Sequence, residues 1–218
     1  SKEVKQLTPP ERFYYNYAGF ITENSIICLG SDMKSYGINE NAKFYLIDIN
    51  TGKKECLTPD FDISTWNSVG SDCRYGSSPV IKMKKQYLYF ITTEKDSSYV
   101  NRISADGKIE KLITGNGSVD SYDVNGNNIL FIGMRNMKLQ ELYAFDGTHE
   151  KQITHVNDWE RDGKKVSALE SLCIETEPGV VIDGWVMKPV DFDEDKKYPA
   201  ILDIHGGPKA AYGQVFFH

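Results

Sequence analysis

The sequence predicts a mainly β chain, in which a partial β-propeller of about three blades precedes the first strands of a second domain. Strand-like runs are short and bounded by turn formers, and no stretch keeps a helical apolar period over about three turns. A pattern of strand, glycine turn and strand also recurs along the chain. We therefore assign residues 1–155 to the propeller portion and residues 156–218 to the start of the second domain.

The recurring pattern always ends in an apolar residue followed by threonine. Its copies run through turns at Gly52, Gly107 and Gly147 to the closing pairs Leu57-Thr58, Ile113-Thr114 and Ile153-Thr154. Leu7-Thr8 is interpreted as the last strand of an earlier unit. Units of about 40 to 55 residues with room for about four strands are typical of propeller blades. Because propellers typically have about four to eight blades, the missing ones are expected before Ser1.

Further strands are expected at Ile26–Leu29, Tyr87–Ile91 and Ile129–Ile132, and loops at Asp32–Asn41 and Asp60–Tyr75. A β-sandwich whose turns resemble one another by chance is the alternative, since turn residues come from a short list.

After Thr154 the pattern changes. The polar segment His155–Lys165 is interpreted as a linker, and two strands are predicted at Ser171–Glu175 and Val180–Met187. A further apolar strand, Tyr198–Ile204, leads into the turn His205-Gly206-Gly207-Pro208. These strands are interpreted as the opening of a second domain.

The turn at His205–Pro208 carries the chemical prediction. Hydrolases that transfer acyl groups stabilise the negative charge on the substrate carbonyl oxygen with fixed N–H donors. In α/β-hydrolases one of these donors lies in the loop after the third strand. Glycine suits this task because it tolerates unusual backbone angles and has no Cβ to obstruct the substrate. His205, Gly206 and Gly207 are therefore the candidate catalytic residues, as an oxyanion loop.

Three segments carry a resemblance to a known family: Ile182–Pro189, Lys197–Leu202 and His205–Pro208. They resemble the prolyl oligopeptidase family of serine peptidases, in particular its acylaminoacyl-peptidase-like and dipeptidyl aminopeptidase branch. The resemblance implies a truncated α/β-hydrolase domain, a propeller that gates access to the site, and a Ser-Asp-His triad. Pro178-Gly179 departs from the Asp-Gly that family members often have there.

No G-x-S-x-G motif occurs, because Ser71, Ser77 and Ser118 each follow a glycine but lack the second flanking glycine. Nucleophile, acid and base are therefore expected outside this chain, which is predicted to be an inactive fragment. Its parent is predicted to hydrolyse short peptides, N-acylated ones included, through an acyl-enzyme. A non-catalytic peptide- or protein-binding propeller and an esterase with the same turn are the alternatives.

Composition narrows the remaining choices. A net charge of −6 gives no electrostatic footprint for nucleic acid or an anionic membrane, and no apolar run is long enough to span one. Four cysteines without C-x-x-C spacing predict buried free thiols in a reducing compartment, hence a cytoplasmic protein. No cofactor or metal is expected, and self-association through exposed strand edges is predicted.

Overall fold

The computed structural model describes residues 4–76 and 81–217, and these form fourteen β-strands and two short 3-10 helices. The strands build three four-stranded sheets and one hairpin. The first sheet contains β1 (Tyr14–Thr22), β2 (Ser25–Ser31), β3 (Lys43–Asp48) and β4 (Lys54–Cys56). The second contains β5 (Lys82–Lys84), β6 (Tyr87–Glu94), β7 (Ser97–Ile103) and β8 (Ile109–Ile113). The third contains β9 (Ser121–Asn125), β10 (Asn128–Gly133), β11 (Glu141–Phe145) and β12 (Glu150–Gln152). The hairpin is β13 (Leu169–Glu177) and β14 (Val180–Met187), and the 3-10 helices are Gly37–Asn39 and Asp158–Arg161.

Each four-stranded sheet is an antiparallel meander whose strand order follows the chain. One apolar core lies between the first and second sheets, and another lies between the second and third. Three meanders packed in series are the arrangement of neighbouring propeller blades. The mainly β, partial-propeller prediction is thereby confirmed, and none of the sheets closes on itself.

The second sheet is buried on both faces, which explains the uninterrupted apolar run in β6. Leu88 and Phe90 belong to the core shared with the first sheet, whereas Tyr89 and Ile91 belong to the core shared with the third. Successive side chains of a strand point to opposite faces, so a strand covered on both sides favours apolar residues at consecutive positions. The short apolar runs predicted at 26–29, 87–91 and 129–132 all lie in the second strand of a sheet.

The closing threonines have a structural role in the outer two sheets. The Thr58 hydroxyl accepts a hydrogen bond from the buried Phe44 amide at 3.0 Å, and the Thr154 hydroxyl accepts one from the Leu142 amide at 2.9 Å. The residue before each threonine also bonds to that partner: Leu57 donates its amide to the Phe44 carbonyl, and Ile153 donates its amide to the Leu142 carbonyl, both at 2.8 Å. The hydroxyl thus continues the ladder by one bond after the fourth strand ends.

Leu7-Thr8 does not form a strand, so this prediction is wrong. A strand exists only where a neighbour supplies a ladder of hydrogen bonds, and none of the described segments pairs with these residues. Leu7 nevertheless occupies a repeat position. Its carbonyl lies against the turn at Gly52, where a Cβ added to the glycine would come within 2.6 Å of the Leu7 oxygen. The Leu57 carbonyl lies against Gly107 in the same way, at 2.9 Å from an added Cβ. Both glycines also have positive φ, so these turns require glycine.

The second part of the chain follows the prediction only in part. The two strands predicted at 171–175 and 180–187 are present as the β13–β14 hairpin. The strand predicted at Tyr198–Ile204 is absent, and its apolar side chains Ile201 and Leu202 are 94% and 84% exposed. The physical reason is again pairing, since none of the described strands runs alongside this segment. The loops predicted at 32–41 and 60–75 contain no strand.

The segment predicted as a linker is anchored at its first half. The Asn157 amide donates to Glu141 Oε1 at 2.7 Å, and Arg161 donates to the Asn136 carbonyl at 3.1 Å. Glu160 is buried beside Arg161, with 2.9 Å between the carboxylate and Nε. This part of the segment therefore belongs to the third sheet's surface rather than to a free linker.

The cysteines are free, but the prediction that they are buried holds for Cys28 alone. Cys56 and Cys73 are half-buried and Cys173 is exposed. In the part of the chain that the structure describes, no helix has the length and apolarity needed to cross a bilayer.

Candidate active site

The turn at His205–Pro208 is exposed and follows an extended segment. Within residues 4–76 and 81–217, no hydrogen bond is formed by the amides of Gly206 and Gly207. An added Cβ would meet nothing within 4 Å at Gly206, whereas at Gly207 it would come within 2.9 Å of the Lys209 nitrogen. Neither glycine has a positive φ. Glycine is therefore needed at 207 for close approach of the backbone rather than for unusual backbone angles.

His205 orients the peptide group between the two glycines. With its proton on Nδ1, the imidazole donates to the Gly206 carbonyl oxygen at 2.8 Å. The Gly206 oxygen and the Gly207 N–H belong to one planar trans peptide and point in opposite directions. A fixed carbonyl therefore fixes the direction of the Gly207 N–H. This hydrogen bond links His205 to Gly206, two of the three predicted residues, which are consecutive in the chain.

Tyr212 lies behind the turn. Its ring meets the His205 imidazole edge-on, with 5.6 Å between centroids and an interplanar angle of 81°. Partial desolvation and a hydrogen bond to the Asp203 carboxylate raise the pKa of the Tyr212 phenol. The Tyr212 carbonyl accepts a hydrogen bond from Trp185 Nε1 at 3.1 Å. Tyr212, after the turn, is thus tied to β14.

The residues after the turn, which we call the tail (Ala210–Phe217), pack onto the loop between the first two sheets. The Gly70 amide donates to the Ala211 carbonyl at 2.8 Å, and the Ala211 amide donates to the Ser68 carbonyl at 3.0 Å. Val215 is buried with Val69 and Met134. Sequence reasoning missed this contact, and the apolar residues Val215-Phe216-Phe217 were the available signal.

The loop that receives the tail is itself held by a buried carboxylate. Asp120 accepts hydrogen bonds from Arg74 Nε at 2.7 Å, Asn67 Nδ2 at 2.9 Å and Gln140 Nε2 at 2.7 Å. Asp120 is 3% exposed, and charged hydrogen bonds of this kind offset the cost of burying it. The donors Asn67 and Arg74 lie in the loop, whereas the Asp120 carboxylate lies before β9. Because these residues are far apart in the sequence, no local sequence signal predicts the network.

The remaining candidates have structural roles. The Ser71 hydroxyl donates to the Phe216 carbonyl at 2.7 Å, and the Ser118 hydroxyl accepts from the Met134 amide at 3.2 Å. Ser77 lies outside the described residues. Desolvation and the neighbouring Asp72 raise the pKa of the Cys73 thiol, which disfavours the nucleophilic thiolate. Among the described side chains, no group of three or more His, Cys, Asp and Glu is placed to hold a metal ion.

A recess of about 580 Å³ lies over the outer face of the third sheet and is lined in part by Asp123, Leu130, Ala144 and Lys151. The turn residues 205–208 are not among those that line it. The candidate site is therefore an exposed turn that lies outside this recess.

Comparisons with known proteins show that the chain is similar to peptidases. No protein-family model matches it. It is 30% identical over 191 residues to the uncharacterized peptidase YuxL of Bacillus subtilis, covering 85% of this chain and 29% of the relative. It is 25% identical over 178 residues to dipeptidyl-peptidase 5 of Porphyromonas gingivalis, covering 80% of this chain and 24% of the relative.

Solved structures agree on the fold. The acylaminoacyl peptidase of Pyrococcus horikoshii superposes on 97% of this chain with a TM-score of 0.71 and 23% identity, over 30% of its own length. An acylaminoacyl peptidase in complex with Z-Gly-Gly-Phe-chloromethyl ketone superposes on 88% of the chain, at a TM-score of 0.67 and 25% identity, over 28% of its length. The chain spans less than a third of these relatives and is a homologue of peptidases of the prolyl oligopeptidase family.

Proposed function

We propose that the complete protein is a serine peptidase that hydrolyses short peptides, N-acylated ones included, and that residues 205–207 form its oxyanion loop. The observation that carries the proposal is the pair of exposed, unbonded amides at Gly206 and Gly207 in a chain homologous to peptidases. Residues 156–218 then open an α/β-hydrolase domain after a propeller portion at residues 1–155.

The chemistry assigned to this turn is electrostatic. A serine hydroxyl attacks the peptide carbonyl, whose oxygen becomes negatively charged in the tetrahedral intermediate. Collapse of that intermediate expels the amine and leaves the acyl-enzyme, which water then hydrolyses. A preorganised N–H donor aimed at the oxygen contributes about 2.7–4 kcal/mol to this step. His205 supports the preorganisation, because it sets the direction of the Gly207 N–H.

Hydrolysis of N-blocked peptides is supported by the two similar acylaminoacyl peptidase structures, one of them in complex with an N-blocked peptide ketone. The free thiols support a reducing, cytoplasmic compartment. The chain alone is proposed to be inactive, because it carries no serine in the required G-x-S-x-G context.

The test is labelling of the complete protein with a fluorophosphonate, together with turnover of N-acetylated peptides, free peptides and simple esters. We expect labelling at a serine in a G-x-S-x-G motif and faster turnover of peptides than of esters. Gly207→Ala should slow turnover by about tenfold or more, because its Cβ would displace the turn. The matched control is Gly184→Ala, whose Cβ makes only a 3.8 Å contact.

Folded protein that resists the probe and turns over none of these substrates would overturn the proposal. Saturable peptide binding by such protein would indicate a binding module instead. Turnover confined to simple esters would replace the peptidase assignment with an esterase.

A further inference from the structure

The turn between β6 and β7 contacts the C-terminal part of the chain at two points. The Gln214 amide donates to the Asp96 carbonyl at 3.3 Å, and Gln214 Nε2 donates to Asp96 Oδ2 at 2.8 Å. Beside it, Lys95 Nζ lies 3.4 Å from Asp183 Oδ2 on β14. Asp96 Oδ1 is held in turn by the Ser97 hydroxyl at 3.1 Å. One hairpin turn of the second sheet therefore binds both the tail and the β13–β14 hairpin.

Gly213 makes the contact with this turn unusually close. An added Cβ would lie 2.0 Å from the Asp96 carbonyl oxygen and 2.9 Å from Val69 Cγ1. Gly213 does not have a positive φ, so the requirement for glycine is steric and comes from the neighbouring chain segment. Any side chain at this position would push the tail away from the second sheet.

The residues next along the tail lead directly to the oxyanion turn. Tyr212 immediately precedes Gly213 in the sequence, and its ring lies against the His205 imidazole. Its carbonyl is held by a hydrogen bond from Trp185 Nε1 at 3.1 Å. Asp96 is thus connected to His205 through consecutive residues of the tail. The turn itself is exposed, and the described contacts that hold it near the sheets come from the tail, from β14 and from Lys209, whose Nζ donates to Asn41 Oδ1 at 2.6 Å.

We propose that Asp96 is a positioning residue, and that Gly213 and Tyr212 transmit its hold on the tail to His205 and the Gly206-Gly207 amides. The inference rests on the proposed function, because it assigns the control of that same oxyanion loop to the propeller portion. An oxyanion loop stabilises charge only when its donors are fixed before the reaction, so displacement of the tail weakens the donors without removing them.

The first experiment measures the contact itself, by hydrogen exchange of the complete protein over the tail and over residues 68–70. Gly213→Ala should raise the exchange rate of the Ala211 and Gly70 amides about tenfold or more, with β6 and β7 unchanged. The matched control is Gly206→Ala, whose Cβ meets nothing within 4 Å, and it should leave this protection unchanged. Unchanged protection in Gly213→Ala would overturn the proposal.

The second experiment measures the consequence for turnover. Asp96→Ala should lower kcat about tenfold with KM unchanged, because the lost contact acts on transition-state donors and not on substrate binding. Asp96→Asn should restore most of the rate, since a carboxamide oxygen also accepts the Gln214 hydrogen bond. If Asp96→Ala does not fold, Gln214→Ala removes the same bond from the other side.

The proposal would be overturned if Asp96→Ala raised KM at constant kcat. It would also be overturned if Asp96→Ala and Gln214→Ala both left kcat unaltered, or if Asp96→Asn did not restore the rate. The two arms also separate this inference from the proposed function. A complete protein with tail protection that depends on Gly213 but with no hydrolytic activity would refute the peptidase assignment alone, leaving the contact established by exchange.

Discussion

The three-sheet stack and the segment that follows it contain the same kinds of apolar side chain in opposite environments. Leu88, in the second sheet, is fully buried, whereas Leu202, before the Gly206-Gly207 turn, is 84% exposed. Both lie in short apolar runs that predict strands. The difference is that the second sheet has a packed sheet on each side, while none of the described strands lies beside residues 198–204. An apolar run therefore predicts the capacity for burial, and the partner decides whether burial occurs.

The third sheet is intermediate between these two regions. Along β10, Ile129 and Phe131 are buried against the second sheet, whereas Leu130 and Ile132 are half exposed on the outer face. The inner face of this sheet is buried, as in the three-sheet stack, and its outer face is exposed, as in residues 198–204. Burial thus changes from one side of a strand to the other, according to which side is covered.

The sharpest test of this comparison is the same substitution in both regions. Leu88→Ala should lower the free energy of unfolding by about 2–5 kcal/mol, because it opens a cavity in a core packed on both faces. Leu202→Ala should change it by no more than about 0.5 kcal/mol, since little apolar area is buried there. Urea unfolding of the two variants measures both values. Equal losses would mean that residues 198–204 are packed in solution.

The reactivity of two thiols compares the same two regions, because Cys28 lies in the three-sheet stack and Cys173 lies in the segment that follows it. Burial raises the pKa of the Cys28 thiol to about 11, while Cys173 is exposed on β13. Because the thiolate is the reactive form, Cys28 should be alkylated about a hundredfold more slowly at around pH 8. Its rate should keep rising with pH up to about 11. Mass-spectrometric mapping of time-resolved alkylation measures each site, and rapid labelling of native Cys28 would contradict the buried first sheet.

The smallest effect is expected within the stack, at the threonines that close the repeats. Thr58→Val should cost about 1–3 kcal/mol, because the buried Phe44 amide loses its acceptor. Thr114→Val, at the exposed end of the second sheet, is the matched control and should stay within about 0.5 kcal/mol. Thermal or urea unfolding compares the two. A similar cost for both would show that the hydroxyl of Thr58 does not replace a ladder bond.

Local patterns predicted much of this molecule. The central strands at 26–29, 87–91 and 129–132, the glycine turns and the β13–β14 hairpin are all present. The two predicted strands that are absent, Leu7-Thr8 and Tyr198–Ile204, have the same local pattern, but no segment among the described residues pairs with them. The exposed Gly206-Gly207 turn followed from its own residues. The contact of Asp96 with Gln214 could not, because the two residues are 118 positions apart.

By itself, the sequence determined the meander repeats, their turns and the peptide segment with two bare amides, since each depends on residues within a few positions of one another. Only the tertiary structure decided which apolar runs became strands and which residues hold the Gly206-Gly207 turn. The physical reason is that ladder hydrogen bonds, buried faces and the space for a Cβ at Gly213 are supplied by distant parts of the chain.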